Sequence, residues 1–267
     1  MSEIWAGMKR ILIECAYDGT EYHGWESQEG QRTIQGEIEN ALYRLTGEIT
    51  RISGISRTDA GVHALKNIAV FDTDMRIESG KYANALNAYL PEDIAVRRSY
   101  EVEAGFNLRR QQTLKTYEYS IINDRYPVPT KRLYSHFVYV PLDAEKMDKA
   151  AECLLGEHDF RSFCSVHTQT ETTVRTITDI SVIRKDNEIK ITVQGRGFLY
   201  NMVRIIAGTL IDVGRGAVEP ERTEKILAAC DRSEAGPTAP ACGLTLMNID
   251  FISENSAGAL DTHGPVV

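Results

Sequence analysis

Hydrophobic positions in RILIECAYDG recur with period two at Ile11, Ile13 and Cys15, the mark of a strand with one buried face, and Asp18-Gly19 supplies a turn. The period then changes. Ile34, Ile38, Ala41, Leu42 and Leu45 fall on one side of a 3.6-residue helix, with Thr33 placed to cap its start and Gly47 to stop it. A short strand is predicted around Ile49 to Ile55, a loop over 56 to 64, and a strand through NIAVFDT. Ser79 opens a second helix over Tyr82, Ala85 and Leu86 that ends before Pro91, and DIAVRRSYEV forms a further strand. The predicted order is β-α-β-β-α-β.

The second half repeats the rhythm. TYEYSII reads as a strand, and Asp143 caps a helix carrying Met147, Ala151, Leu154 and Leu155 on one face. ISVIRKDNEIKITVQ alternates on both sides of an Asp186-Asn187 turn, as a hairpin does. A helix over Val203, Ile206, Ala207, Leu210 and Val213 stops at Gly214, another follows Pro220, and GLTLMNIDF closes as a strand. The pattern predicts an α+β protein of two ferredoxin-like (RRM-like) halves, residues 1–110 and 111–267. They join into one extended, mainly antiparallel sheet with helices on one face and a central cleft; the tail after about residue 253 trails loose.

Composition narrows the function classes. At 267 residues the chain suits two packed units, and 42% hydrophobic with 25% charged residues is ordinary for a soluble globular protein. No run approaches the roughly 18 apolar residues of a membrane span, and MSEIWAGMKR lacks a signal-peptide core, so a cytoplasmic protein is expected. Five cysteines, 15, 153, 164, 230 and 242, form no Cys-x-x-Cys pair and read as reduced thiols. The net charge of -8 argues against a polyanionic partner, yet Gly105 to Tyr134 holds six Lys/Arg against two acids, interleaved with Tyr117, Tyr119, Tyr126 and Tyr134. Cations among rings suit RNA, since cations neutralise phosphates and rings stack on bases; a solvated strand edge would look the same.

Phosphate-loop, dinucleotide, nucleophile-elbow and zincin motifs are absent. Cys153, His158, Cys164 and His167 offer zinc-binding side chains at a spacing that standard zinc sites do not use. The compact cluster of reactive groups is SRTDAGVHA, Ser56 to Ala64. There Arg57 can hold Asp59 ionised, and Gly61 lets the backbone turn sharply after it. Glycosidic hydrolysis ordinarily uses two carboxylates. One alone suits a reaction whose leaving group stays bound and is reused, although an R-x-D pair can equally be a salt bridge tying a loop.

SRTDAGVHA resembles the catalytic-loop motif of the pseudouridine synthase A family. So do YDGTEYHGW (17–25), TIQGEIENAL (33–42), LNAYLPEDIAV (86–96), FNLRR (106–110), KTYEY (115–119), LLGEHDFRSF (154–163), FLYNMVRIIAGTLIDVGRG (198–216) and TAPACGLTL (238–246), in the family's order. The resemblance implies isomerisation of uridine to pseudouridine at positions 38 to 40 of the tRNA anticodon stem-loop, without cofactor or metal, by a homodimer. It makes Asp59 the catalytic carboxylate and Arg57 the group that helps flip the nucleotide. Tyr117 becomes the stacking platform and Arg204 the partner of Asp59. Arg109, Arg110, Lys115, Tyr17 and His63 are then candidate RNA contacts. Ser56, Glu26 and Lys115 stand where family members usually carry glycine, glutamine and arginine. Two other readings stay open at this point, a tRNA clamp without chemistry and a zinc hydrolase built on the 153–167 cluster.

Overall fold

The computed structural model describes residues 8–166 and 170–252. The chain divides into two compact units, residues 1–112 with 248–267, and residues 113–247. Both are mixed α+β with mostly antiparallel strands, and the described residues hold five α-helices.

The first unit runs β1 (Lys9–Tyr17), α1 (Ile34–Thr46), β2 (Ser53–Gly54), β3 (His63–Thr73), α2 (Tyr82–Asn87) and β4 (Ile94–Val102). This is the β-α-β-β-α-β order that the periodicity predicts. β1 lies between β4 and β3, antiparallel to each, and β2 pairs with the outer side of β3. As the strand pattern requires, Ile11, Ile13 and Cys15 are buried; Leu12 is buried as well, so β1 is covered on both faces. Thr33 Oγ1 accepts from Gly36 N–H at 3.2 Å, and Gly47 closes α1 in the left-handed region at φ 78°. Ile34, Ile38, Ala41 and Leu42 form the buried stripe of α1, while Leu45 is half-buried. The second helix begins as a 3-10 turn, Ser79–Lys81, before α2. β2 is shorter than the strand predicted over 49–55: Ile49 is solvent-exposed, and the segment meets β3 only from Ser53, Gly54 and the Ile55 N–H, which donates to Ile68 O at 3.0 Å.

The second unit comprises β5 (Thr113–Asn123), β6 (His136–Val138), α3 (Ala144–Ala151), β7 (Gly156–Asp159), β8 (Val174–Lys185), β9 (Glu188–Gly195), α4 (Met202–Gly214), α5 (Arg222–Ala229) and the start of β10 (Leu244–Phe251). Its strand order is β5-β9-β8-β7, with β6 running parallel to β5. The β8–β9 hairpin turns at Asp186 and Asn187, and Asp186 takes the positive φ of 55° that such a turn requires. Asp143 caps α3 by accepting from Lys146 N–H at 3.1 Å. α3 ends sooner than the apolar pattern predicts: Glu152–Leu154 tighten into a 3-10 turn, which buries Leu154 and leaves Leu155 exposed. All of α4 except Arg204 and Asp212 is buried, the signature of a central helix.

Candidate active site

In the first unit the segment between β3 and its short partner β2 passes under the turn that follows β1. Trp25 N–H donates to Thr58 O at 3.0 Å and Gly61 N–H to Tyr22 O at 3.2 Å, so the two loops are joined backbone to backbone. Their approach leaves no room for side chains at two glycines. A Cβ at Gly24, whose φ is +87°, would stand 2.6 Å from Thr58 O and 3.2 Å from the Asp59 carbonyl carbon; one at Gly19 would stand 2.0 Å from Val62 O.

Side chains complete the tie. Tyr17 Oη and Thr58 Oγ1 share a hydrogen bond of 2.8 Å, and buried Asn67 donates to both Tyr17 Oη, at 3.1 Å, and Ser56 O, at 2.9 Å. His63 is 4% exposed, and its Nδ1 accepts from Gly19 N–H at 3.0 Å; Asp18 Oδ1, 3.1 Å from that nitrogen, accepts from Thr20. Trp25, 1% exposed, sits beside Tyr17 with ring centroids 6.0 Å apart. Beneath them Tyr22 donates to Asp93 at 2.5 Å, and burial followed by this carboxylate raises the phenol's pKa. Asp59 is half-buried at the bend, its carbonyl accepting from Val62 N–H at 3.1 Å. Arg57 points outward and pairs through Nε with Glu26 Oε2 at 2.5 Å. Tyr17, Arg57, Asp59 and His63 therefore belong to one cluster.

Arg109 and Arg110 do not. Both are exposed on a 3-10 turn capped by Asn107, just after Phe106, whose carbonyl accepts from Arg10 at 2.6 Å. Arg10 and Tyr17 lie seven residues apart on β1, about 23 Å at strand rise, so these arginines lie well away from the Asp59 loop.

The second unit collects the other candidates. Lys115 and Tyr117 project from the same face of β5. Tyr117 is 7% exposed and meets Phe198 edge-on, centroids 5.1 Å apart at 84°. Burial lowers the Lys115 ammonium to about 8. Arg204 sits in the first turn of α4, where a cation opposes the helix dipole, so its presence there calls for another reason. Its guanidinium donates to Ala239 O and Asn201 Oδ1, each at 2.8 Å, and Ala239 N–H returns a bond to Arg204 O at 3.1 Å. Asn201 holds a left-handed φ of 60° and donates to Ser165 Oγ at 2.8 Å. Tyr119, whose hydroxyl burial makes hard to ionise, donates to Pro240 O at 2.9 Å and fixes the same loop.

Sequence reasoning read Gly19 only as part of a turn and assigned no role to Gly24, Asn67, Asn201 or Ala239. One signal pointed to Asn67: it is an amide at the head of a run of buried β3 positions, where an unsatisfied polar group would be costly. The zinc candidates are occupied otherwise. Cys153 contacts Ala150 O at 3.4 Å, His158 contacts Leu155 O at 2.7 Å, Cys164 is buried, and His167 lies outside the described residues. Among the described residues no three His, Cys, Asp or Glu gather in a metal-binding group, and no helix is long and apolar enough to cross a membrane.

A profile of the tRNA pseudouridine synthases matches residues 15–108 and 150–251. The chain is 47% identical over 244 residues to tRNA pseudouridine synthase A of Brevibacillus brevis, an alignment spanning 91% of this chain and all of the relative. It is 43% identical to the Acetivibrio thermocellus protein of that name and 42% to the one from a Thermoanaerobacter species, over the same shares.

Proposed function

Since the chain belongs to the tRNA pseudouridine synthase family, we propose that it isomerises uridine to pseudouridine at positions 38 to 40 of the tRNA anticodon stem-loop. The observation that carries the reading is the bend at Asp59, held to the 17–25 loop by backbone bonds so that a single carboxylate is presented on a fixed frame. In this reaction the bond between uracil N1 and ribose C1′ breaks, the base turns while still bound, a bond from C5 to C1′ forms, and the proton lost from C5 is balanced by one taken up at N1. Asp59 acts on the sugar or the base, as nucleophile or as base toward a sugar proton. Arg57 enters the place of the extruded nucleotide, Tyr117 receives the uracil, and Arg204 is the partner of Asp59.

The first half, 1–110, carries the aspartate loop and the second, 111–267, the receiving groups. The pairing of β4 with β1, of β1 with β3 and of β3 with β2 supports a ferredoxin-like first half, and the repeated rhythm of the sequence supports a second. Joined halves with a cleft, helices on one face, a homodimer and a cytoplasmic setting complete the proposal. Arg109, Arg110 and Lys115 contact the RNA backbone; Tyr17 and His63 border the nucleotide's loop.

The test is incubation with unmodified tRNA and site-resolved detection of pseudouridine, wild type beside Asp59→Asn. Pseudouridine in the anticodon arm with wild type alone is expected. Binding without product by the wild type would leave a clamp, and product from Asp59→Asn at the wild-type rate would remove Asp59 from the chemistry.

A further inference from the structure

Arg57 and Glu26 are held side by side by the backbone rather than by chance surface contact. Trp25 N–H bonds to Thr58 O at 3.0 Å and Trp25 O accepts from Gln35 N–H at 2.9 Å. The residue after Trp25 is thereby set against the residue before Thr58. Their side chains meet at 2.5 Å although they are 66% and 45% exposed, so the Arg57 guanidinium rests on a carboxylate at the surface where a polyanion must approach.

Phosphate and carboxylate compete for the same guanidinium. We infer that Glu26 is a positioning residue that holds Arg57 folded back in the RNA-free enzyme and yields it when tRNA arrives, so that part of the binding free energy is consumed in breaking this pair. The inference rests on the pseudouridine synthase reading. It predicts an effect on capture rather than on the bond-making steps, because the pair is already broken once Arg57 has entered the RNA.

Glu26→Gln keeps the shape and an accepting oxygen but removes the charge. Its Kd and KM for unmodified tRNA should fall about two- to fivefold, the range of an exposed ion pair, with kcat unchanged. Repeated in an Arg57→Ala background, the same substitution should leave Kd unaltered, and thermal unfolding of each variant checks that the fold is intact. Glu26→Gln with wild-type Kd and KM would overturn the latch. A gain of equal size with and without Arg57 would overturn it too, since the carboxylate would then act only by repelling phosphates. A wild type that forms no pseudouridine would defeat the functional reading itself, and the latch with it, a result distinct from either of the others.

Discussion

The Asp59 loop and the Arg204 end of α4 hold their charged groups by opposite means. Asp59 is placed by its neighbours: the bonds that shape its loop run from Tyr22, Trp25, Tyr17 and Asn67 to the backbone or side chains of Ser56, Thr58 and Gly61. Arg204 is itself a tie, its guanidinium spanning Asn201 and Ala239. The bonds that shape the Asp59 loop thus come from many neighbours, whereas at the start of α4 the Arg204 side chain itself carries two of the bonds that fix Asn201 and the Ala239 loop. Because asparagine keeps the shape of Asp59 while lysine loses the planar fork of Arg204, chemistry and stability should separate in Asp59→Asn and move together in Arg204→Lys.

The largest expected effect is at Asp59. Asp59→Asn should lower the single-turnover rate of pseudouridine formation by at least about 10³-fold, while the unfolding midpoint and tRNA affinity stay near wild type. A matching loss of stability would erase the contrast. Gly24→Ala strikes the frame instead: a Cβ there meets Thr58 O at 2.6 Å at a φ that disfavours side chains, so the loop must shift. A rate loss of about 10²-fold with about 1–3 kcal/mol of destabilisation is expected, read by kinetics and denaturant unfolding. Unchanged kinetics would mean that Asp59 needs no such frame.

Arg204→Lys keeps the charge and loses the planar fork that reaches two acceptors. It should cost about tenfold in rate and about 1 kcal/mol in stability together; a rate loss with no change in unfolding would show that the tie to Ala239 is not structural.

The smallest effect sharpens a second contrast, between exposed Arg109 and Arg110 and half-buried Lys115. Because the folded Lys115 sits at about 8 against an ordinary 10.5, the unfolded chain binds more protons between those values. The contribution of this group to stability thus rises with pH across that window and is at its lowest below pH 8. Lys115→Met should flatten that rise in unfolding measurements. If Lys115 also meets phosphate, the salt slope of tRNA binding should weaken by up to about 0.9 between pH 7 and 9, and Lys115→Arg should abolish that change. Arg109→Ala/Arg110→Ala should soften the slope equally at both pH values.

Regular elements with their own caps were legible in the chain. Thr33 and Gly47 bound α1, Asp143 starts α3, and Asp186 marks the hairpin, because each satisfies a local backbone demand. β6 and β7 were not. HFV is three residues long and GEHD carries no apolar alternation, so both exist through the ladders of β5 and β8 rather than through their own pattern. The site divides the same way. Its reactive residues stood out as a cluster in one loop, but the contacts that fix them join positions far apart in sequence, such as Gly24 with Thr58 and Arg204 with Ala239. Glycine approaches and side-chain bonds to backbone carbonyls have no periodicity to betray them.

Asn248–Phe251 count with the first unit although the whole second unit intervenes in the chain. Phe251 packs edge-on against Phe106, and Ile252 N–H bonds to Gln112 O at 3.0 Å. During synthesis on the ribosome, the bonds that join residues 17–25 to residues 56–67 can form once residue 67 is made, with the Tyr22–Asp93 bond following by residue 93, whereas the first unit receives its last strand only after residue 247 is made. Until then it waits incomplete for the span of the second unit's translation. A chain released early, just short of Asn248, would carry an assembled aspartate loop on an unfinished unit with an unsealed edge, a natural target for the proteases that clear aborted products.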